Sequence, residues 1–136
     1  MNIRLFNKEK DFKTLCKWWA DWGLFQHHSS VLPKNGFIVS KNGVDICSGF
    51  VYGTDSCVAW IEFITMNKYA TKKQREGVLE KLMDTLVNKA KSMGFKIIMG
   101  LGTDVQNNKS PLLAKWRKNN ADIVINNLSQ YYKLIN

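Results

Sequence analysis

Residues 71–94, TKKQREGVLEKLMDTLVNKAKSMG, carry the strongest structural signal in the chain. Their apolar side chains recur at the i, i+3, i+4 and i+7 spacing of an amphipathic helix that buries one face. The expected buried face consists of Val78, Leu79, Leu82, Met83, Leu86, Val87 and Ala90. Lys89 and Lys91, followed by Gly94, suit the carbonyl end of such a helix. The segment therefore predicts a helix that packs against a hydrophobic core.

The first turn of this helix is expected to be basic. Lys72, Lys73 and Arg75 lie where the helix dipole normally favours carboxylates. A bound polyanion would suit them, because it attracts the cations and accepts hydrogen bonds from the free N–H groups of the helix start. The basic start therefore favours a phosphate-bearing cofactor.

A local explanation of the same segment stays open. Thr71 and Gln74 have the spacing of a capping box, in which the Gln74 side chain reaches back to the Thr71 N–H. Gly77 would then lie within the helix, at a cost of about 1 kcal/mol against alanine. A glycine at that position indicates either close approach of a ligand to the backbone or sequence drift.

The residues before this helix have the pattern of strands. Residues 37–40 and 44–53 flank Asn42 and Gly43, a pair that favours a tight hairpin turn because it tolerates positive φ. Residues 57–66, CVAWIEFITM, predict a strand that leads into the helix. The order predicts an α/β (α+β) fold with a mixed sheet, in which an antiparallel N-terminal meander joins a parallel strand-helix-strand crossover.

The N-terminal part predicts one strand and one helix. Residues 2–6 form the strand, and Asp11 is expected to cap a helix that ends near Gly23. Trp18 falls off the apolar side of this helix. That side is expected to comprise Phe12, Leu15, Cys16, Trp19 and Trp22.

Residues 74–79, Gln-Arg-Glu-Gly-Val-Leu, resemble the pyrophosphate-binding signature Q/R-x-x-G-x-G/A of the GNAT superfamily of N-acetyltransferases. Gln74 and Gly77 match this signature, and Leu79 stands at its second small position. An apolar pair follows, as in the family. The match predicts a GNAT-like domain.

The order of elements extends the resemblance over residues 57–121. Residues 57–66 resemble the central strand of the family, and residues 95–102 resemble the next strand. Residues 107–121 resemble the helix that follows, with Trp116 at the position of the family's tyrosine. The resemblance implies that the protein binds acetyl-CoA.

The resemblance also implies where the cofactor binds. Strand residues would pair through their backbone with the pantetheine arm, and the helix start would hold the pyrophosphate with help from neighbouring lysines. The implied cofactor-binding residues are Ile64, Thr65, Met66, Lys72, Lys73, Gln74, Arg75, Glu76, Gly77, Val78, Leu79 and Asn108.

Glu62 is the candidate catalytic residue. Acetyl transfer to an amine requires the ammonium to lose a proton, and a strand glutamate near this point is the base in many members of the family. Glu62 could instead face solvent or pair with a lysine. His27 and His28 provide alternative bases or are simply exposed. The candidate acids for the departing thiolate are Tyr131, Tyr132, Cys57 and water.

Composition indicates one domain over residues 1–136. Three cysteines without C-x-x-C spacing argue against a disulfide framework and a zinc site, so no metal is expected. The chain shows no signal-peptide pattern and no apolar run long enough to span a membrane. A cytoplasmic location is therefore expected.

The net charge is +9, and residues 67–136 contain 13 basic and 5 acidic side chains. Such a field attracts coenzyme A, nucleic acid or an acidic protein. No nucleic-acid-binding motif is present, so no specific nucleic acid is expected as a partner. The sequence predicts an acetyl-CoA-dependent N-acetyltransferase acting on a primary amine of a small molecule or protein. The alternative is a catalytically inactive GNAT-like binding or structural protein, for example in a phage particle.

Overall fold

The computed structural model describes residues 1–100. The predicted helix over residues 107–121 lies outside the described residues, as do Asn108, Trp116, Tyr131 and Tyr132. The expectation of a single domain therefore stays a prediction. The helices and strands are β1 (Asn2–Leu5), α1 (Lys8–Asp21), a 3-10 turn (Ser29–Val31), β2 (Gly36–Lys41), β3 (Val44–Tyr52), β4 (Val58–Met66), α2 (Lys72–Arg75), α3 (Val78–Ser92) and β5 (Ile97–Gly100).

The strands form a five-stranded sheet in the order β1-β2-β3-β4-β5. Neighbours are antiparallel from β1 to β4, whereas β4 and β5 are parallel and α3 lies between them in the chain. The predicted mixed sheet is confirmed. The hairpin between β2 and β3 is confirmed too, because Asn42 (φ 53°) and Gly43 (φ 76°) both adopt the positive φ of a two-residue turn.

The two long helices cover opposite faces of the sheet. A Cβ added at Gly49 of β3 would meet Leu82 and Leu86 of α3, at 3.2 Å and 2.9 Å. The next residue, Phe50, belongs to a core cluster with Leu15 and Trp19 of α1. Successive side chains of a strand point to opposite faces, so α3 lies on one face and α1 on the other.

Helix α3 buries the face that its sequence predicts. Five of the seven predicted core residues are buried in the structure, and Leu79 and Val87 are half-buried. The buried five are Val78, Leu82, Met83, Leu86 and Ala90.

Helix α1 differs from the prediction at its start. Asn7 caps it by accepting a hydrogen bond from Lys10 N–H at 3.0 Å. The prediction that Asp11 is the cap was wrong. Asp11 lies in the first turn, 5 % exposed, and receives two hydrogen bonds from Arg4 of β1 (2.7 Å and 3.0 Å) and one from Asn7 N–H. The carboxylate is used for a tertiary ion pair, which the local pattern does not reveal.

The apolar side of α1 also differs. Trp18, placed off that side, is only 3 % exposed, whereas Trp22 is 45 % exposed. Trp18 belongs to the same core cluster as Leu32, so the segment after the helix contributes to the core that buries this residue. Within residues 1–100, no helix is long and apolar enough to cross a bilayer.

Candidate functional site

The connection between β4 and α3 begins with a capping box. Thr71 Oγ1 accepts a hydrogen bond from Gln74 N–H at 3.2 Å, and Gln74 Oε1 accepts one from Thr71 N–H at 2.8 Å. The capping box is therefore confirmed. It belongs to the four-residue helix α2, so Lys72, Lys73 and Arg75 lie on α2 and not in the first turn of α3. All three cations are exposed.

Gly77 separates the two helices. It adopts a left-handed conformation (φ 74°, ψ −6°), which glycine reaches without the steric cost borne by other residues. The expectation that Gly77 lies inside a helix was wrong, because α2 ends at Arg75 and α3 begins at Val78. The glycine is explained by the turn that starts α3.

The N-terminus of α3 has no side-chain cap. Its first backbone hydrogen bond runs from Lys81 N–H to the Gly77 carbonyl, at 3.1 Å. Helix geometry therefore leaves the N–H groups of Val78 and Leu79 without an intrahelical acceptor. Such N–H groups, together with the positive end of the helix dipole, bind phosphates well.

Lys41, at the end of β2, braces this connection and was missed by the sequence analysis. Its Nζ donates hydrogen bonds to the carbonyls of Lys73 (3.0 Å) and Glu76 (3.1 Å). These bonds join the β2–β3 hairpin to the end of α2. The contact spans more than thirty residues, so no local motif signals it. Lys41 also adds a third lysine beside Lys72 and Lys73.

Strand β4 contains a bulge at the expected catalytic position. Ser48 pairs with Thr65 and Phe50 with Glu62, so one residue of β3 lies opposite two residues of β4. Phe63, inside the bulge, has a φ of 53°. A phenylalanine in the left-handed region is strained, and such strain is concentrated at functional sites.

Glu62 is half-buried and lies on the α1 side of the sheet. Its cross-strand partner is Phe50, which packs with α1, and directly opposed residues point to the same face. The prediction that Glu62 is the catalytic base stays a prediction. Its location beside the aromatic core of α1 is compatible with a buried interaction and with proton transfer.

Two tryptophans, one within α1 and one at its C-terminal end, donate hydrogen bonds to the part of β4 that follows the bulge. Trp19 Nε1–H donates to Thr65 Oγ1 at 3.1 Å, and Trp22 Nε1–H donates to the Met66 carbonyl at 2.7 Å. Asn67 N–H bonds to β3, so Met66 exposes its backbone at the other edge of β4. One carbonyl expected to pair with a pantetheine arm therefore has an indole partner.

His27 and His28 differ in their surroundings. The ring of His27 is half-buried among aromatic rings, and burial lowers its pKa below the usual value for histidine. His28 is exposed, and its Nδ1 accepts a hydrogen bond from Ser30 N–H at the start of the 3-10 turn. Of the two candidate alternative bases, only His27 lies against the strand that carries Glu62, because its ring is 4.8 Å from that of Phe63.

The described residues show no metal site. Within residues 1–100, no three His, Cys, Asp or Glu side chains are grouped so that they could hold an ion. Cys57, a candidate acid, is exposed just before β4. Its carbonyl accepts hydrogen bonds from Lys96 and Ile97 at the start of β5.

The fold is similar to that of solved acetyltransferases. An aminoglycoside acetyltransferase from an uncultured soil metagenomic sample aligns with a TM-score of 0.68 and 16% identity over 98% of this chain and 96% of its own. N-acetylglutamate synthase from Neisseria gonorrhoeae, complexed with coenzyme A, aligns with a TM-score of 0.60 and 15% identity over 87% of this chain and 32% of its own. No protein-family model and no curated protein matches the sequence.

Rv2747 from Mycobacterium tuberculosis, in complex with CoA, aligns with a TM-score of 0.64 and 12% identity over 76% of this chain. This chain spans 66% of Rv2747 and 32% of the gonococcal synthase. The protein therefore has the fold of GNAT acetyltransferases, and the predicted resemblance is confirmed at the level of the fold.

Proposed function

We propose that the protein is an acetyl-CoA-dependent N-acetyltransferase that acts on a primary amine of a small molecule or protein. The observation that carries the proposal is the start of α3. Gly77 turns the chain at the uncapped N-terminus of α3. Three exposed cations lie on α2, the short helix that precedes Gly77. The proposal of acetyl-CoA as the cofactor also rests on the fold, which is shared with proteins crystallised with coenzyme A.

These residues fit a pyrophosphate. The side chain of Val78 is buried in the core, so only its backbone N–H can serve a ligand, whereas Lys72 and Lys73 are free to move toward one. The N–H groups at the start of α3 would donate hydrogen bonds to phosphate oxygens, and the lysines would balance the charge of the phosphates. The remaining predicted cofactor contacts at residues 64–66 and 74–79 are part of the same proposal.

Glu62 would take the proton of the acceptor ammonium, directly or through one water molecule. The bound acetyl-CoA supplies an acetyl group activated as a thioester. The amine nitrogen then forms a bond to the acetyl carbon while the bond from that carbon to sulfur breaks, and the sulfur is protonated as it leaves. Cys57 is exposed just before β4, and Cys57, Tyr131, Tyr132 and water all stay candidates for the donor of this proton.

A cytoplasmic location accompanies the proposal. Cys16, Cys47 and Cys57 carry free thiols, which a reducing compartment maintains.

The rival function is a protein of this fold that binds without catalysis. Leu79, half-buried at the second small position of the signature, and the bond from Trp22 to the Met66 carbonyl favour it. Binding of acetyl-CoA without turnover of any amine would support the rival.

The test is thermal stabilisation by acetyl-CoA. A ligand at one hundred times its dissociation constant adds about 2.7 kcal/mol to the free energy of unfolding. We expect acetyl-CoA to raise the melting temperature of the unmodified protein, and Lys72→Glu/Lys73→Glu to abolish the rise, because repulsion replaces attraction beside the pyrophosphate.

Lys8→Glu/Lys10→Glu is the matched control. These two lysines are also exposed in the first turn of a helix, so the change in net charge is the same. The control should keep the full response to acetyl-CoA. An unmodified protein whose melting temperature does not respond to millimolar acetyl-CoA would contradict the proposal.

A further inference from the structure

Four aromatic side chains meet beside the bulge of β4 and form what we call the His27 cluster: Trp19, Phe25, His27 and Phe63. The ring of His27 is at its centre, 4.8 Å from Phe63, 4.9 Å from Phe25 and 5.5 Å from Trp19, edge to face in each case. Tyr52 flanks the cluster, 6.3 Å from Phe63. The rings come from α1, the segment after it and β4, so the cluster exists only in the folded chain.

The His27 cluster is connected to the proposed base by the bulge. Glu62 and Phe63 are consecutive, and the extra residue of the bulge lets both lie on the α1 side of the sheet, Glu62 opposite Phe50 and Phe63 against Trp19. The hydrogen bond from Trp19 to Thr65 holds this arrangement from the other side of the bulge. An amine that reaches Glu62 from the α1 side therefore passes along aromatic rings.

The cluster has a closed side and an open side. Trp19 is buried in the core, whereas Phe25 is 69 % exposed. Burial lowers the pKa of His27 and so favours the neutral imidazole, which does not repel an ammonium. A molecule from solvent can therefore reach the faces and edges of uncharged rings on the open side of the cluster.

The charges near the C-terminal end of α1 are positive. Lys17 pairs with Asp21 at 2.7 Å and its Nζ lies over the ring of Tyr69. Lys68 donates to the carbonyl of Asp21 and lies over the ring of Trp22. Asp21 balances one of these two lysines, so the group has one net positive charge, which would repel a polycation.

We infer that the His27 cluster binds the acceptor, and that the acceptor is a primary amine carrying a single positive charge on an aromatic group. This inference rests on the proposed function. The amine would be directed to Glu62, and its ring would pack against Phe25 and His27. A polyamine would lose affinity through Lys17 and Lys68, and an aliphatic amine would lose the aromatic contact.

Binding is measured with coenzyme A present, so that no turnover is required. The probes are 2-phenylethylamine, n-hexylamine and spermidine, and the readouts are melting temperature and tryptophan fluorescence, since Trp19 belongs to the cluster. We expect 2-phenylethylamine to bind about fivefold more tightly than n-hexylamine, the effect of one aromatic pair, and spermidine to bind most weakly. A peptide with an N-terminal phenylalanine tests whether the aromatic amine is carried by a peptide or protein.

Phe25→Ala is the informative variant, because an exposed side chain can be shortened without unfolding the protein. It should remove the preference for 2-phenylethylamine over n-hexylamine. Tyr69→Ala is the matched control, since Tyr69 is also 69 % exposed but lies outside the cluster, and it should keep the preference. Comparison of 2-phenylethylamine with the peptide shows whether the aromatic amine is a small molecule or belongs to a peptide, because the matching probe should bind more tightly.

The outcomes separate the two proposals. A protein that responds to acetyl-CoA but prefers spermidine or n-hexylamine, or that binds none of the three amines, contradicts the inference and leaves the proposed function standing. A protein that shows no response to acetyl-CoA contradicts the proposed function itself. An aromatic preference that survives Phe25→Ala also contradicts the inference, because the cluster would then not be the binding site.

Discussion

The two faces of the sheet are covered by different kinds of side chain. On the α3 face, aliphatic side chains such as Leu82 and Leu86 pack directly over Gly49. On the α1 face, aromatic rings predominate and keep polar partners: Trp19 bonds to Thr65, and Tyr52 Oη–H donates to the Val31 carbonyl at 2.6 Å. Aliphatic packing is non-directional, whereas hydrogen-bonded rings hold their neighbours in one geometry.

The strained backbone lies on the second of these faces. Phe63 adopts a positive φ in β4, and its ring belongs to the His27 cluster on the α1 side. The α3 face therefore contributes mainly to stability, whereas the α1 face holds Glu62 and its aromatic neighbours in one geometry. Substitutions on the two faces should therefore affect different properties.

The largest effect on stability is expected from Leu86→Ala. Leu86 is fully buried between α3 and Gly49, so the substitution leaves a cavity and should lower the free energy of unfolding by about 3 kcal/mol. Urea denaturation followed by far-UV circular dichroism measures this loss. The dissociation constant of acetyl-CoA should stay unchanged, because Leu86 is two turns from the start of α3.

Leu5→Ala is the control for that experiment. Leu5 is an exposed leucine in β1, and its loss should change the free energy of unfolding by no more than about 0.5 kcal/mol. Equal losses in the two variants would remove the distinction between a packed α3 face and the rest of the surface.

Glu62→Gln should act on catalysis and leave stability nearly unchanged. The amide keeps the shape of the carboxylate but does not take the ammonium proton, so turnover should fall by on the order of a hundredfold, equivalent to about 2.7 kcal/mol in the barrier. Steady-state kinetics measures the fall. Raising the pH should restore part of the rate, because more of the acceptor amine is already deprotonated.

A melting curve on the same variant separates the two functions of a strand glutamate. Retained turnover would show that Glu62 is not the base and would make His27 or an ordered water the candidate. Unfolding would show that the carboxylate holds a buried partner.

Asp11→Asn should produce the smallest of the three effects, and one that depends on pH. The hydrogen bonds from Arg4 lower the pKa of Asp11, partly opposed by burial. A folded-state pKa below the unfolded value means that the carboxylate stabilises the fold above the unfolded pKa, and that this stabilisation is lost as the pH falls through the folded value. At pH 7 the substitution should cost about 2 kcal/mol, a value kept low because Arg4 is partly exposed.

Urea denaturation of both proteins at pH 7 and below pH 4 checks this expectation. The difference between them should shrink at the lower pH. Asp84→Asn, at an exposed position of α3, is the control and should show little difference at either pH. A difference that is independent of pH would mean that Asp11 stabilises α1 by its shape and not by its charge.

Local patterns predicted the parts of the fold whose partners are close in sequence. The periodicity of α3, the turn at Asn42 and Gly43, and the capping box of Thr71 and Gln74 each depend on residues within a few positions of one another, and all are confirmed. The basic residues after β4 and the match at Gly77 also indicated the candidate cofactor site, which stays a prediction.

The same patterns failed where the partner is distant. Asp11 looks like a cap and is the partner of Arg4. Trp18 falls off the apolar side of α1 in the sequence, yet it belongs to a core cluster with Leu32 from a later segment. Lys41 carries no motif at all, yet it holds the carbonyls of Lys73 and Glu76.

The sequence by itself therefore determined the order of elements, the buried face of α3 and the resemblance to GNAT acetyltransferases, because helical periodicity, turn chemistry and capping are properties of neighbouring residues. Only the tertiary structure decided that Gly77 splits the predicted helix, that β4 bulges at Phe63, and that His27 lies among aromatic rings beside Glu62. These features depend on which strands pair and which side chains meet across the core, and the physical reason is that such contacts join residues that no local pattern connects.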